Sequence, residues 1–523
     1  MKVKMMVVLT GMLVPALILI MAGQLAMAAS SEELTIVSPM IGNQIPIPWE
    51  EMLTANDWIK LIYDPLVGTN PDGSLSTAAG LAEKWEMSPD GLTWTFYLRK
   101  GVKFHDGVEL TAKDVKFTTE MNASPKSTLA FVQTFREMIK NTEAKDKYTV
   151  VVHLKQPNLF LHENLFSDIG TVSGSIAPKD YFEKVGRDQF VKKPIGTGPY
   201  KFHSQLIGSF IKFEATDRHW RDGVPRYKYV TFRIIPEEIT RIAMLKTGEA
   251  DIARISRGSM KECLNAGLGV VSKKGSAIVQ GQPNYQYDSP TLSDLRLRKA
   301  LNLAIDRDAI IKNIFEGMAS PTTTYPGMNI SGVRGAPVLK PYPYDPKEAR
   351  RLIKEGKFEG VEVIVPNIPR AGCPEMSQMV EAVCGYWEKV GLKPKIQNIE
   401  WPQFRALRRA RKTVGQVQFT DATSTKGVSL ILMLFRENLH SKGENPFVND
   451  PKVDEMIDRG EKSLDRAEVE QIVSDLYRYM YDNHVFIAIC DIDDMIATTK
   501  RVPKWDPGQR RNERNFIDLI KQK

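Results

Sequence analysis

The stretch at residues 81–118, LAEKWEMSPDGLTWTFYLRKGVKFHDGVELTAKDVKFT, constrains the fold more than any other part of the chain. Its first half reads as a β-hairpin. Trp85 and Met87 fall at period two before a turn, and Trp94, Phe96 and Leu98 share one face after it. Pro89, Asp90 and Gly91 supply the reversal, because proline presets φ, aspartate bonds its own backbone and glycine tolerates φ > 0. Lys100-Gly101 and Asp106-Gly107 give two further turns. Thr111, with Asp114 three residues on, forms a capping box for a short helix carrying Val115 and Phe117. The expected unit is a hairpin and helix around two buried tryptophans.

Ahead of it, Lys2 and Lys4 precede an apolar run over residues 5–21, and Ala26-Met27-Ala28 places small residues where a signal peptidase reads them. Residues 1–28 are therefore expected to be a secretory leader cleaved after Ala28. The alternative is an uncleaved anchor, but Gly11 and Pro15 interrupt the run and its length is marginal for a bilayer. No cysteine follows the run, so a lipid-anchored form is not expected.

With 523 residues the chain exceeds what one core organises, and two to four domains are expected. The formal charge of +8, two units lower once Lys2 and Lys4 leave, is spread thinly. No basic stripe with interleaved aromatics points to nucleic acid. Residues 405–412, RALRRARK, and the terminal Arg510, Arg511 and Arg514 read as solvated faces. The four cysteines, Cys263, Cys373, Cys384 and Cys490, lack CxxC or zinc spacing. Cys384 falls about two turns into a helix that starts just after Cys373, too far for a bridge between them. Other pairings stay open.

Periodicity places strands at residues 34–38, 148–154 and 229–234, and a helix at 56–63. PIGTGPYKF at 194–202 is a tight turn before a strand, expected to need two non-standard backbone positions, and has neither GK[ST] nor GxGxxG to make it a phosphate loop. A helix at 237–246 carries Ile239, Ile242 and Leu245, with Gly248 just beyond it. Asp294 caps a helix bearing Leu297, Leu301 and Ile305, and Gly317 ends a second one with Ile310, Ile311, Ile314 and Phe315.

Further on, residues 361–365 read as a strand, 367–373 as a loop and 395–401 as the next strand. Between them Pro374 fits a first helical position, and Met376, Met379, Val383 and Trp387 trace one helical face. In such a unit ligands sit beyond the strand's carboxyl end, near the helix N-terminus. Arg370 lies in that loop, where a guanidinium can grip a carboxylate with help from the helix's N–H groups. From the residues alone this stays open against a solvent-facing Arg370 or an ion pair with Glu375.

Four of these stretches, namely 81–118, PIGTGPYKF, RIIPEEITRIAMLKTGEADIA at 233–253 and DLRLRKALNLAIDRDAIIKNIFEG at 294–317, resemble in the same order the motifs of family 5 solute-binding proteins. These are the peptide/nickel/opine-type receptors of ABC importers. YDPKEA at 344–349 is similar to the family as well. The resemblance implies an α/β, two-lobed periplasmic-binding-protein-like (Venus-flytrap) fold with an additional α+β domain inserted in lobe one. The implied layout is residues 29–75 in lobe I, 76–193 in the inserted domain, 194–284 back in lobe I, 285–488 in lobe II and 489–523 returning to lobe I. Residues 283–290 are then the first crossing between lobes.

The implied function is a monomeric periplasmic receptor, without cofactor, that delivers an oligopeptide or dipeptide to an inner-membrane permease. Opines, oligosaccharides and metal chelates are the alternatives within the family. Arg370 falls where dipeptide-binding members place the arginine that holds the ligand's C-terminal carboxylate. QVQFTDATST at 416–425 stands where peptide-binding relatives carry G-W-x-x-D. Phe419 replaces the tryptophan, and the amine-binding acid is missing from its place, with Asp421 one residue away. Losing that acid would leave a ligand ammonium desolvated without a counter-charge, so dipeptides are not singled out.

Trp401, Tyr287, Asn43 and Trp49 are further cleft candidates, each open to a core or turn role instead. The second class, a secreted hydrolase, finds no G-x-S-x-G elbow, H-E-x-x-H helix or Cys/His arrangement. His162-Glu163 lacks the second histidine, and the seven histidines are scattered, so no metal site is expected.

Overall fold

The computed structural model describes residues 32–505 apart from 52–54, 71–73, 130–131, 168–171, 224, 286–288, 290, 324–338, 371, 424–426 and 444. The expected leader and the three terminal arginines lie outside the described residues.

The chain begins with β1 (Glu33–Ser38), and a small hairpin of β2 (Gly68–Thr69) and β3 (Leu75–Ser76) follows. Next come β4 (Ala82–Met87), β5 (Thr93–Leu98), β6 (Ile139–Ala144) and β7 (Thr149–Leu154), an antiparallel sheet in the order β4-β5-β7-β6. The hairpin forms as its sequence dictates. Gly91 takes φ +68°, Asp90 accepts the Leu92 N–H at 3.0 Å, and Trp94, Phe96 and Leu98 are buried on one face. Trp85 is only half-buried, against the expectation of two buried tryptophans, because β4 is the sheet's edge strand. The Thr111–Asp114 capping box starts the helix Ala112–Ala123, with the Thr111 N–H 2.9 Å from the Asp114 carboxylate.

β8 (Tyr200–Leu206), β9 (Phe210–Ala215), β10 (Tyr229–Ile234) and β11 (Ile252–Ile255) build around β1, which runs parallel to both β10 and β11. The glycines of PIGTGP do not take positive φ, contrary to the expected non-standard backbone. They are there for close approach: a Cβ on Gly196 would lie 2.1 Å from the Ile62 carbonyl oxygen, and the Gly198 N–H donates to that same oxygen at 2.8 Å. The helix Glu238–Thr247 ends at Gly248 with φ +77°. Its packed face uses Ile242, Met244 and Leu245, whereas Ile239, expected on that face, stands 85% exposed in the first turn.

The remaining strands are β12 (Gly269–Pro283), β13 (Ala319–Pro321), β14 (Glu362–Asn367), β15 (Lys393–Asn398), β16 (Val417–Thr423) and β17 (Ile487–Thr498). β12 and β17 form a long antiparallel pair that joins two halves of one sheet, ordered β16-β12-β17-β11-β1-β10-β9-β8. Met495 to Thr498 pair with β11, while Cys490 to Ile492 pair with β13. The exchange occurs opposite a bulge in β12 between Lys273 and Ala277, where Gly275 (φ +59°) donates its N–H to Asp493 Oδ1 at 2.9 Å. Beyond the bulge, Ala277 through Pro283 pair with β16. Around this half sits a large apolar core that includes Leu301, Val380, Val383, Trp387 and Phe419. All four cysteines are buried free thiols. Among the described residues no helix is long and apolar enough to cross a membrane.

Candidate functional site

β14 and β15 run parallel from Glu362↔Lys393 to Asn367↔Asn398, and Ile364 makes a parallel bridge to Gln416 just ahead of β16. The carboxyl ends of all three strands therefore open at the same edge, the position where α/β sheets place ligands. Each end contributes a side chain. β14 leads into a loop closed by the Cys373 N–H donating to the Arg370 carbonyl at 3.0 Å. β15 leads to Trp401, the first residue of the helix Trp401–Arg409, and β16 carries Thr420 and Asp421 near its end. Two expectations change here. Trp401 opens a helix rather than ending a strand, because Pro402 behind it suits the first helical turn. Pro374 sits in the preceding turn, and the helix Met376–Lys389 begins two residues later.

Arg370 is the centre of the group. Its guanidinium lies 4.4 Å from the Trp401 ring centroid, Nη2 donates to Thr420 Oγ1 at 3.3 Å, and Nε is 3.6 Å from Asp421 Oδ1. The Arg370 and Asp421 side chains are 15% and 10% exposed, so their charges interact in a partly desolvated setting. A planar cation stacked on an indole and steadied at one edge is pre-oriented for a carboxylate. Glu375, the alternative partner for Arg370, is engaged elsewhere: Arg257 Nε donates to it at 3.1 Å.

Phe419, Trp49 and Asn43 are not brought to this group. Phe419, 1% exposed, points into the core, its ring 6.0 Å from Trp387. Trp49 is fully buried between Phe117 and Phe182, with ring centroids 5.6 and 5.2 Å away. Asn43 is exposed, its N–H donating to Glu51 Oε2 at 3.1 Å. Tyr287 lies outside the described residues. Thr420 was not singled out from sequence, although strand alternation within QVQFTDATST puts it on the face opposite Phe419. Among the described residues no group of three or more His, Cys, Asp or Glu side chains is placed to hold a metal ion.

Comparison with known proteins identifies the family and the fold. The profile for bacterial extracellular solute-binding proteins, family 5 (middle), matches residues 77–427. The glutathione-binding protein GsiB of Pectobacterium atrosepticum is 33% identical over 307 residues, covering 57% of this chain and 56% of the relative. The chain thus matches only about half the length of its curated relatives. Among solved structures, NikA from Brucella suis in complex with Fe(III)-EDTA superposes with a TM-score of 0.79 at 23% identity, covering 94% of this chain and all (100%) of that one. DppA from Helicobacter pylori in complex with the peptide STSA gives 0.76 at 23% identity, covering 94% and 97%.

The fold is that of a two-lobed α/β binding protein with a helix-bearing antiparallel domain set into one lobe. The chain belongs to family 5 of the bacterial extracellular solute-binding proteins.

Proposed function

We propose that this chain is the solute receptor of an ABC importer, capturing a short peptide or peptide-like solute between two lobes and handing it to a membrane permease. The observation that carries this reading is Arg370, held by Trp401, Thr420 and Asp421 where the carboxyl ends of three strands converge. A ligand carboxylate paired with that guanidinium gains a charge-assisted, two-point contact. The ligand favours the closed form because it touches both lobes only there. The match to a glutathione-binding relative supports a peptide-like solute.

In this reading residues 1–28 direct export and are removed after Ala28, leaving a monomeric periplasmic protein without lipid anchor or cofactor. The lobe and inserted-domain boundaries set out from sequence belong to the same proposal. No covalent step is required of the site. A second reading, an opine-like or chelated solute without a free amine, draws on one observation: Asp421 already faces Arg370 at 3.6 Å, which makes it a weaker partner for a ligand ammonium.

Isothermal titration with glutathione, a dipeptide panel and their N-acetylated counterparts tests both. Saturable binding of free peptides, lost in Arg370→Ala, is the expected result. Equal affinity for the acetylated forms favours the second reading. Product formation from any peptide, or binding indifferent to Arg370→Ala, overturns the proposal.

A further inference from the structure

On the sheet face opposite the apolar core, polar side chains run inward from Arg370 across three strands. Gln280 on β12 stands directly opposite Thr420 on β16, the residue whose hydroxyl accepts from Arg370. Ile278, two residues earlier on β12, stands opposite Asp491 on β17, which in turn faces Ser320 on β13. Opposed residues share a face, as do residues two apart along a strand. Thr420, Gln280 and Asp491 therefore line one side, while Val279, Phe419 and Cys490 fill the core on the other.

Gln280 is completely buried, and neither its amide nitrogen nor its amide oxygen has a hydrogen-bond partner. Asp491 is 5% exposed, and its Oδ1 is likewise unpartnered. Buried amides and carboxyls are almost always satisfied, by protein, water or ligand. Three unsatisfied polar atoms on one face, one and two strands in from the Thr420 hydroxyl that Arg370 bonds, mark a place built for polar atoms that do not belong to the fold.

We propose that Gln280 and Asp491 form a second polar subsite of the solute site, reading an amide group in a solute whose carboxylate Arg370 holds. This rests on the reading of the chain as a solute receptor. The Gln280 carboxamide is complementary to a peptide unit: its Nε2 donates to the solute carbonyl while its Oε1 accepts from the solute N–H. Asp491 Oδ1 takes the next N–H along. Burial, followed by the neighbouring Asp493, pushes the Asp491 carboxyl up to about 7 against the pull of a Thr322 hydrogen bond. It therefore sits in this apolar setting without a full charge near neutral pH. The solute class implied is a carboxylate with an internal amide, as in short peptides and N-acyl amino acids, rather than a sugar or a bare dicarboxylate.

Titration of the full chain with triglycine, with its analogue carrying an ester in place of one amide, and with glutarate tests this. The wild type is expected to bind triglycine at least tenfold more tightly than the ester or glutarate. Gln280→Leu, whose thermal midpoint checks its folding, is expected to bind all three probes with similar weak affinity. Asp491→Asn, which keeps the shape, is expected to lose a smaller factor on triglycine alone. If Gln280→Leu and Asp491→Asn both bind triglycine as the wild type does, the two groups hold buried water only and the subsite is overturned. If the wild type binds no peptide at all, the receptor reading for peptides fails first, and the subsite falls with it.

Discussion

Arg257 and Glu375 form a buried two-point ion pair between the segment that follows β11 and the start of the helix Met376–Lys389. The Arg257 side chain is 4% exposed, its Nε donates to Glu375 Oε1 at 3.1 Å, and its Nη1 donates to the Asp493 carbonyl at 2.7 Å. The pair ties together the strand-exchange region and the loop that carries Arg370. It also accounts for why Glu375 does not neutralise Arg370. Removing one member leaves the other charge buried, which costs about 3–5 kcal/mol. Arg257→Ala is therefore expected to lower the urea unfolding midpoint sharply, and Arg257→Met combined with Glu375→Met to recover much of the loss. A midpoint for Arg257→Ala within error of the wild type would show that the pair carries no weight.

Trp401 supports the Arg370 guanidinium from 4.4 Å while remaining 37% exposed itself. A stacked cation in such a setting gains about 0.5–1 kcal/mol, equivalent to roughly two- to fivefold in affinity. On the proposed function, Trp401→Ala should weaken binding of a carboxylate-bearing solute by that factor, and Trp401→Phe should retain most of it. Titration calorimetry on the two variants decides the matter; a phenylalanine as damaging as the alanine would mean that the contact is not one of ring and cation.

Local chemistry made much of the fold readable. The Pro89-Asp90-Gly91 turn, the Thr111–Asp114 box and the alternation of Trp94, Phe96 and Leu98 each depend on neighbours in sequence, and each forms as expected. Coverage by distant elements was not readable. Trp85 is half-buried because its strand lies at an edge, and Gly196 is glycine because a helix end 134 residues away presses on it. The site divides in the same way. Arg370 could be placed in a loop past a strand end, yet its contacts with Thr420, Asp421 and Trp401 depend on how β15, β14 and β16 pair. Phe419 was expected at the cleft, but strand parity turns it inward against Trp387.

His219 gives the protein a pH-dependent element. Its ring is 1% exposed, with Nε2 3.1 Å from Asp64 and Nδ1 3.0 Å from Asp222. Burial alone would lower its pKa, but the two carboxylates outweigh burial and raise it to about 9, against 6.5 for an ordinary histidine. The folded state therefore holds this proton more tightly than the unfolded chain does. The stabilisation, up to about 3 kcal/mol, is fully present below pH 6.5 and is lost as the pH rises through 9. Thermal midpoints between pH 6 and 9.5 should fall for the wild type and change less for His219→Gln. A wild-type profile that is flat in that window would contradict the assignment.

The sequence resemblance implies a tryptophan at the position of Phe419, so introducing one there is a direct trial of which way the side chain faces. Its ring lies on Gly281, where an added Cβ would come within 2.9 Å of Phe419 Cε1, and it packs beside Trp387 at 6.0 Å. An inward-facing Phe419 leaves no room for an indole, and overpacking of this kind costs about 1–3 kcal/mol. Truncation in Phe419→Ala costs about 3–5 kcal/mol through the cavity it leaves. Phe419→Trp is thus expected to unfold at lower urea while its remaining folded fraction binds peptide within twofold of the wild type. A Phe419→Trp protein of unchanged stability that bound peptides several-fold tighter would place the side chain in the cleft instead, and would move the ligand contact from Thr420 and Arg370 to the opposite face of β16.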